Sequence, residues 1–541
     1  MTKKQLSVLT LLSILIMFLC LLLSRRLWFR LDLTANKAFT LSPVSRNLRN
    51  EIDENVRITY YISTKLQSLD PTASEITDIL REYEARSRGK IQVIIKDPGR
   101  DYSETEYFGL YPQQLQNLGQ DEASFSVVFS GIVIEYLDKF DVIPWIYSMD
   151  TLEYDITSRI RSLISGKRRE LGVIAPEPQK SWNDYYGLLN QAFINAGFSV
   201  LQLRPGEEIP DTLPVLFVLG GAEALDEYSL YRIDRFIQMG GRVFFGVESV
   251  DVDFFNTWEG RPINDKGLLA MISYYGITLG QGLVMDRSSV PIPFRDYNQE
   301  LKQMRYQPWI SVLADQGNYD HTLTSRFTGA DLFWACPLSF TLPESGKVKG
   351  ETLFASSPDT WIMKDNYMLR PEMMPSSIPE SEETKGEIIL AAALEGVFPS
   401  WFEGAEKPHR LSGEWNEDIW VETEDELPPM PAEPKESRIV VVGDSDMGGL
   451  LIQYQLAQQG ANLNFLLQTA DWLGKDDDIV GIRNRQGGIG RLDRITEEGK
   501  RLGMMGFSRI LNIFIIPLLI CIFGIYRLVK RNRKKERHHA V

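Results

Sequence analysis

Apolar residues recur along this chain in three rhythms, and each predicts a different kind of element. At the two ends they are unbroken: LSVLTLLSILIMFLCLLL from Leu6 to Leu23, and ILNIFIIPLLICIFGIY from Ile510 to Tyr526. At a rise of about 1.5 Å per residue both runs approach the thickness of a hydrocarbon core of about 30 Å, the second with help from its flanks or local thinning of the bilayer, so two membrane helices are expected. The first is followed by Arg25 and Arg26 and lacks a small-residue cleavage site, which predicts a retained anchor rather than a removed leader. The second carries Pro517 and Gly524, residues that membrane helices tolerate when neighbouring groups re-satisfy the backbone.

Between the runs, short apolar stretches of strand length alternate with stretches of helical period. After RLDLTANKAFTLSP, Thr40 or Ser42 can cap a helix from Pro43 through Ile52. VRITYYIS (Val56 to Ser63) reads as a strand, and Ser74 to Ser87 as a helix with Ile76, Ile79, Leu80 and Tyr83 on one face. KIQVIIKDP returns as a strand, which predicts a β-α-β unit. SFSVVFSGIVIEYLD and KFDVIPWI read as two further strands, and Thr151 to Ser165 as an amphipathic helix that closes a small α/β domain over residues 31–166.

The β-α-β pattern then restarts. LGVIAP, a helix from Asp184 to Ala196, FSVLQL, TLPVLFVLGG, a helix from Asp226 to Met239 and RVFFGVES follow in turn, then SRIVVVGDSDMGG and a helical NLNFLLQTADWLGK. This predicts a doubly wound, mainly parallel α/β domain over residues 167–503. Residues 252–434 loosen the pattern and read as a long insertion or second lobe, with EWNEDIWVETEDELPPMPAEP as an exposed loop. Residues 1–30 and 504–541 are left to the membrane ends.

Charge sharpens this layout. The whole chain of 541 residues has a formal net charge of -15 at pH 7. Between residues 31 and 508, 45 basic residues face 72 acidic ones, a balance that repels phosphate backbones and anionic headgroups. Nucleic-acid binding is therefore not expected. Arg527, Lys530, Arg531, Arg533, Lys534, Lys535 and Arg537 crowd the end of the second span, which orients the C-terminus to the cytoplasm. Two spans put the N-terminus there too and the body outside, although Arg25, Arg26 and Arg30 outnumber Lys3 and Lys4 across the first span.

Candidate chemistry is sparse. No G-x-x-x-x-G-K-[ST] phosphate loop occurs, since Gly166-Lys167 and Gly474-Lys475 lack both the earlier glycine and the following hydroxyl residue. Of the three cysteines, Cys20 and Cys521 fall in the apolar runs and Cys336 stands alone in the body, so no disulfide or cysteine-rich metal cluster is expected there. His321 and His409 are the histidines of the body, and Cys336 precedes Pro337 rather than standing at a glycine-flanked elbow, so no Cys-His or Ser-His nucleophile is expected.

The sharpest candidate is Gly443, Asp444, Ser445 and Asp446, directly after the apolar strand Arg438 to Val442. Ligands of parallel sheets collect beyond the carboxyl ends of strands, and Asp444 and Asp446 have the spacing to share Mg²⁺ or Ca²⁺. The competing reading has Asp444 or Ser445 capping a following helix and Asp446 facing solvent. Gly220 and Gly221 form a second such turn. Trp401, Phe402, Trp415 and Trp420 read either as a sugar- or partner-binding surface or as packing of a long loop.

Several blocks, taken in order, resemble the GldG family of auxiliary components of ABC transport systems. They are RLDLTANKAFTLSP after an N-terminal span, ILREYEARSRGKIQVIIKDP, EYDITSRIRSLISG, VVVGDSDM, and NLNFLLQTADWLG before a final span. The resemblance covers nearly the whole chain. It implies a non-ATPase subunit of a bacterial cytoplasmic membrane, its body extracytoplasmic, working with a separate permease and a separate ATP-binding subunit. It also implies a central domain similar to the class I glutamine-amidotransferase-like fold. No cofactor is expected. The alternative is a stand-alone envelope-binding protein, or a degenerate hydrolase, holding a glycan or peptide in the α/β cleft.

Overall fold

The computed structural model describes residues 40–474, apart from 70, 100, 119–122, 147–150, 167–168, 296–299, 326, 345, 375–385, 410, 417–418, 425–426 and 455–459. The chain divides into a unit Met1–Gly488 and a unit Ile489–Val541. The second lies outside the described residues, as do both expected membrane spans and the basic tail. Among the described residues no helix is long and apolar enough to cross a membrane.

The chain begins with α1 (Pro43–Glu51), whose Ser42 cap accepts from the Ser45 N–H while Pro43 fills the first turn, where a missing N–H costs nothing. Strand β1 (Val56–Ile62), helix α2 (Pro71–Arg86) and strand β2 (Ile91–Lys96) form a parallel β-α-β unit. Next comes a hairpin of β3 (Gln113–Leu118) and β4 (Ala123–Val128), then β5 (Ser130–Tyr136), β6 (Lys139–Ile143) and α3 (Leu152–Ser165). The apolar stretch Ser124 to Asp138, expected as one strand, is divided at Phe129: β4 pairs with β3, while β5 pairs with β1. The first sheet runs β2-β1-β5-β6. Leu152, Ile156, Ile160 and Leu163 of α3 form a stripe of helical spacing that joins its core with Ile76, Ile79, Leu80 and Tyr83 of α2.

A second sheet starts at β7 (Arg169–Ile174), followed by α4 (Gly187–Asn195), β8 (Phe198–Gln202), β9 (Val215–Leu219), α5 (Glu227–Gln238) and β10 (Arg242–Gly246). Strands β8, β7, β9 and β10 are parallel neighbours. Every residue of β9 is buried because both faces are covered, the reason parallel strands read as continuous apolar runs. Phe217 and Phe244 point to one core, Leu216, Val218 and Phe245 to the other, with α5 on that second face.

The expected insertion proves to be part of this sheet. After β11 (Val250–Val252), β12 (Gly260–Pro262) and α6 (Leu268–Tyr275), strand β13 (Ile277–Leu279) forms the sheet's far edge. Then come β14 (Leu283–Asp286), β15 (Ser289–Arg295), β16 (Leu301–Val312), β17 (Ala330–Phe333), β18 (Leu338–Phe340), β19 (Val348–Ala355), β20 (Thr360–Met363) and β21 (Ile389–Gly396). Strands β13, β18, β19 and β21 join the main sheet in antiparallel fashion, whereas β14–β20 and β15–β16–β17 form separate small sheets. The stretch expected as an exposed acidic loop holds a hairpin of β22 (Leu411–Asn416) and β23 (Ile419–Glu424), with Trp415 opposite Trp420 in register. Strand β24 (Ser437–Val442) lies between β10 (parallel) and β21 (antiparallel), and α7 (Ala461–Leu473) packs on the sheet. The result is a nine-stranded mixed sheet, not a mainly parallel one with an appended lobe. Its sequence pattern misleads because antiparallel strands of three to eight residues, separated by proline and glycine turns, carry too little periodicity to be told from loops.

Candidate functional site

Four loops converge beyond the carboxyl ends of β7, β9, β10 and β24. The chain leaves β7 for β8 on one side and returns to β9 on the other, so the β7–β9 crevice is a topological switch point, where open α/β sheets place ligands. Gly220 and Gly221 follow β9 with φ of 71° and 98°, a region costly for residues with a Cβ. Their turn lets the Gly221 N–H donate to Glu177 Oε1 at 3.1 Å, across from the loop after β7.

At the centre of this crevice lies Lys180, its side chain only 11% exposed. The ammonium is 2.9 Å from Asp446 Oδ1, 3.1 Å from Glu248 Oε1 and 3.9 Å from Glu177 Oε2, and donates to Ser445 Oγ at 3.2 Å. Tyr185 donates to Asp446 Oδ1 at 2.9 Å, and Tyr186 to the Ser445 carbonyl at 3.0 Å. Glu248 Oε2 accepts from the Ser445 N–H at 3.1 Å.

This geometry corrects part of the capping reading of the Gly443–Asp446 loop. Asp444, Ser445 and Asp446 are all buried, so Asp446 does not face solvent. No α-helix follows directly: the chain turns through 3-10 segments, Asp446–Gly448 and Leu450–Tyr454, and Ser445 makes no side-chain cap. Asp444 is committed instead to the backbone, accepting from the Asp446 N–H and the Phe333 N–H, each at 2.7 Å. Among the described residues no group of three or more His, Cys, Asp or Glu is arranged to hold a metal ion. Lys180 stands instead against Asp446, Glu248 and Glu177, and not against Asp444. Gly443 is required by packing, because a Cβ there would stand 2.2 Å from the Cys336 carbonyl oxygen.

Burial dominates the electrostatics. It would by itself lower the Lys180 ammonium, but Asp446 and Glu248 beside it hold it well above the usual lysine range. Desolvation raises Glu248 to about 7, outweighing the attraction of Lys180. Glu177 is raised by burial as well, and Asp444 strongly so, by burial and then by Asp446. The carboxylates around Lys180 thus favour its ammonium form.

The other sequence candidates fall elsewhere. Cys336 is fully buried after β17, its thiol pushed up to about 11 by burial, and Sγ accepts from the Ser249 N–H at 3.2 Å. His321 packs against Trp472, with ring centroids 5.1 Å apart, and its Nδ1 accepts from the Leu323 N–H. Trp401 and Phe402 pack on Tyr274 and Tyr231, so they belong to the second core of the large sheet. Glu177, Lys180 and Glu248 escaped the sequence reading, yet each stands just past the end of an apolar strand, the same signal that singled out Asp444 and Asp446.

Fold and crevice together define a mixed α/β protein that gathers a buried, charged cluster at the carboxyl edge of its parallel strands. The family described as an ABC-type uncharacterized transport system matches residues 168–469, and the chain belongs to it. A domain of unknown function, DUF7088, matches residues 35–135. An uncharacterized protein of Borreliella burgdorferi is 26% identical over 516 residues, spanning 93% of this chain and 94% of that protein. Among solved structures, the mmIFT52 N-terminal domain matches with a TM-score of 0.32 and 11% identity, covering 56% of this chain and 96% of that one. An exo-β-1,4-mannosidase of Opitutaceae bacterium strain TAV5 matches with a TM-score of 0.16 and 11% identity, over 43% and 37% of the two chains. Likenesses at these scores carry no argument.

Proposed function

We propose that this chain is an auxiliary, non-ATPase membrane subunit of an ABC-type transport system, of the GldG kind. It is anchored by residues 6–23 and 510–526, and its acidic α/β body lies outside the cytoplasmic membrane. The observation that carries the proposal is the family match across the large sheet, joined to a sequence without a phosphate-binding loop. A partner must then hydrolyse ATP, and a permease must form the pathway. The chain itself catalyses nothing in this reading. A fully buried, protonated Cys336 thiol and a Lys180 locked as its ammonium support that, because neither is available to attack a substrate. The large domain then keeps an amidotransferase-like scaffold without its nucleophile.

The test is affinity purification of the full-length chain from native membranes in mild detergent after light crosslinking. Recovery of a multi-span permease and an ATP-binding protein in constant ratio is the expected result. A chain that purifies alone, or with envelope proteins only, would refute the subunit role and favour a stand-alone binding protein.

A further inference from the structure

A cavity of about 600 Å³ opens between the β14–β15 turn, β15, β16 and the loop before β20, and shares no lining residue with the crevice described above. Its size suits a small molecule. The strand register explains the opening. Ser289 faces Ile310, but two residues later Pro291 faces Arg305, so β16 carries extra residues there and the two strands part. Pro291 and Pro293 have no N–H with which to close the ladder.

Two exposed guanidinium groups line the cavity, Arg287 from the β14–β15 turn and Arg305 from β16. Arg261, by comparison, contacts both Glu223 and Asp251. Among the described residues neither Arg287 nor Arg305 forms an ion pair, and Arg305 donates only to the Ser289 carbonyl, at 3.0 Å. Asp359 lines the same cavity, so two positive charges face one negative charge.

The framework around them is rigid. Asp286, fully buried behind the cavity, accepts from the Ser288 N–H at 2.8 Å and from Ser357 N–H and Oγ at 2.8 and 2.5 Å. One carboxylate thus ties the Arg287–Ser288 turn to the loop that carries Ser357 and Asp359. Ser288 Oγ donates to the Ser311 carbonyl at 2.7 Å, which fixes the third side. The turn and loop that carry Arg287 and Asp359 are thus tied in place, while the exposed guanidinium groups stay free to turn toward a ligand.

We propose that this cavity binds a sugar-sized solute through an oxyanion, phosphate or carboxylate, held by the planar donors of Arg287 and Arg305. Asp359 repels that group and sets an upper bound on affinity. The site stands apart from the transport proposal, because binding is a property of this chain whether or not a permease accompanies it.

Calorimetric titration of the full-length chain in mild detergent with glucose 6-phosphate, glucuronate and glucose tests the inference. One or both anions bind, and glucose binds at least about tenfold more weakly; the tighter anion shows whether phosphate or carboxylate is preferred. Arg287→Gln and Arg305→Gln each weaken the anion about tenfold or more, whereas Asp359→Asn tightens it. Unchanged thermal unfolding of the ligand-free variants separates lost binding from lost fold. Equal binding of glucose, indifference to both arginine substitutions, or no heat from either anion up to about 10 mM would each overturn the assignment.

Discussion

Replacing Lys180 by Met removes the one ammonium from the crevice and leaves its carboxylates in place. Asp446, Glu248 and Glu177 all lie within 4 Å of that ammonium, and the side chains of Asp446 and Glu248 are only 10% and 8% exposed. Deleting one partner of a buried ion pair costs about 3–5 kcal/mol, because the stranded charge keeps its desolvation penalty. Here more than one carboxylate is stranded, so the upper half of that range is expected. The assay is denaturant unfolding of the full-length chain in mild detergent, followed by tryptophan fluorescence. The loss should shrink as pH falls from about 8 to about 5, since carboxylates deprived of Lys180 take up protons and become neutral. Adding Glu248→Gln to Lys180→Met should recover part of the stability at neutral pH. A loss below about 1 kcal/mol, independent of pH, would show that the cluster is solvated and would refute the argument.

The wild-type protein should also lose stability as pH rises. Glu248 titrates at about 7 in the folded chain against 4.5 for an ordinary glutamate, so its neutral form stabilises the fold. That contribution is fully present below 4.5 and lost as pH climbs to about 7; Glu248→Gln should flatten the profile in that window by up to about 3 kcal/mol. Cys336, in a chain whose Cys20 and Cys521 are replaced by Ser, should resist thiol reagents at pH 8 until denaturant is added; rapid native labelling would reopen the case for a reactive thiol. Gly443→Ala should destabilise by about 1–3 kcal/mol, since its Cβ would meet backbone 2.2 Å away that cannot step aside, whereas Gly89→Ala, with open space around it but φ of 89°, should cost about 1 kcal/mol. Asp471→Ala should cost about 3–5 kcal/mol in denaturant unfolding, because Asp471 is fully buried, pairs with Arg169 and accepts from Tyr154 at 2.8 Å.

Much of the molecule was legible in residue order alone. The helix starting at Pro43, the β1-α2-β2 unit and the run of parallel strands from β7 to β10 follow from local signals: a capping serine, apolar spacing of three and four, and short runs apolar on both faces. Such signals survive because helices and buried parallel strands impose their periods on neighbouring residues. The same locality explains why Asp444 and Asp446 stood out, being attached to the most apolar strand end in the second half of the chain.

What the sequence determined, then, is which segments become helix or buried strand, how acidic the body is, and that no phosphate loop is present. Tertiary structure alone decided partnership. It brought β13, β18, β19 and β21 to the sheet from within an apparent insertion, because antiparallel pairing joins residues far apart in the chain and leaves little trace in either one. It set Lys180 beside Glu177 of its own loop and against carboxylates from two other loops, turning two candidate metal ligands into acceptors of a built-in ammonium and of backbone N–H groups. It also left Arg287 and Arg305, among the described residues, without an ion-paired carboxylate in the lining of a cavity, a property of the space around two side chains that no stretch of sequence encodes by itself.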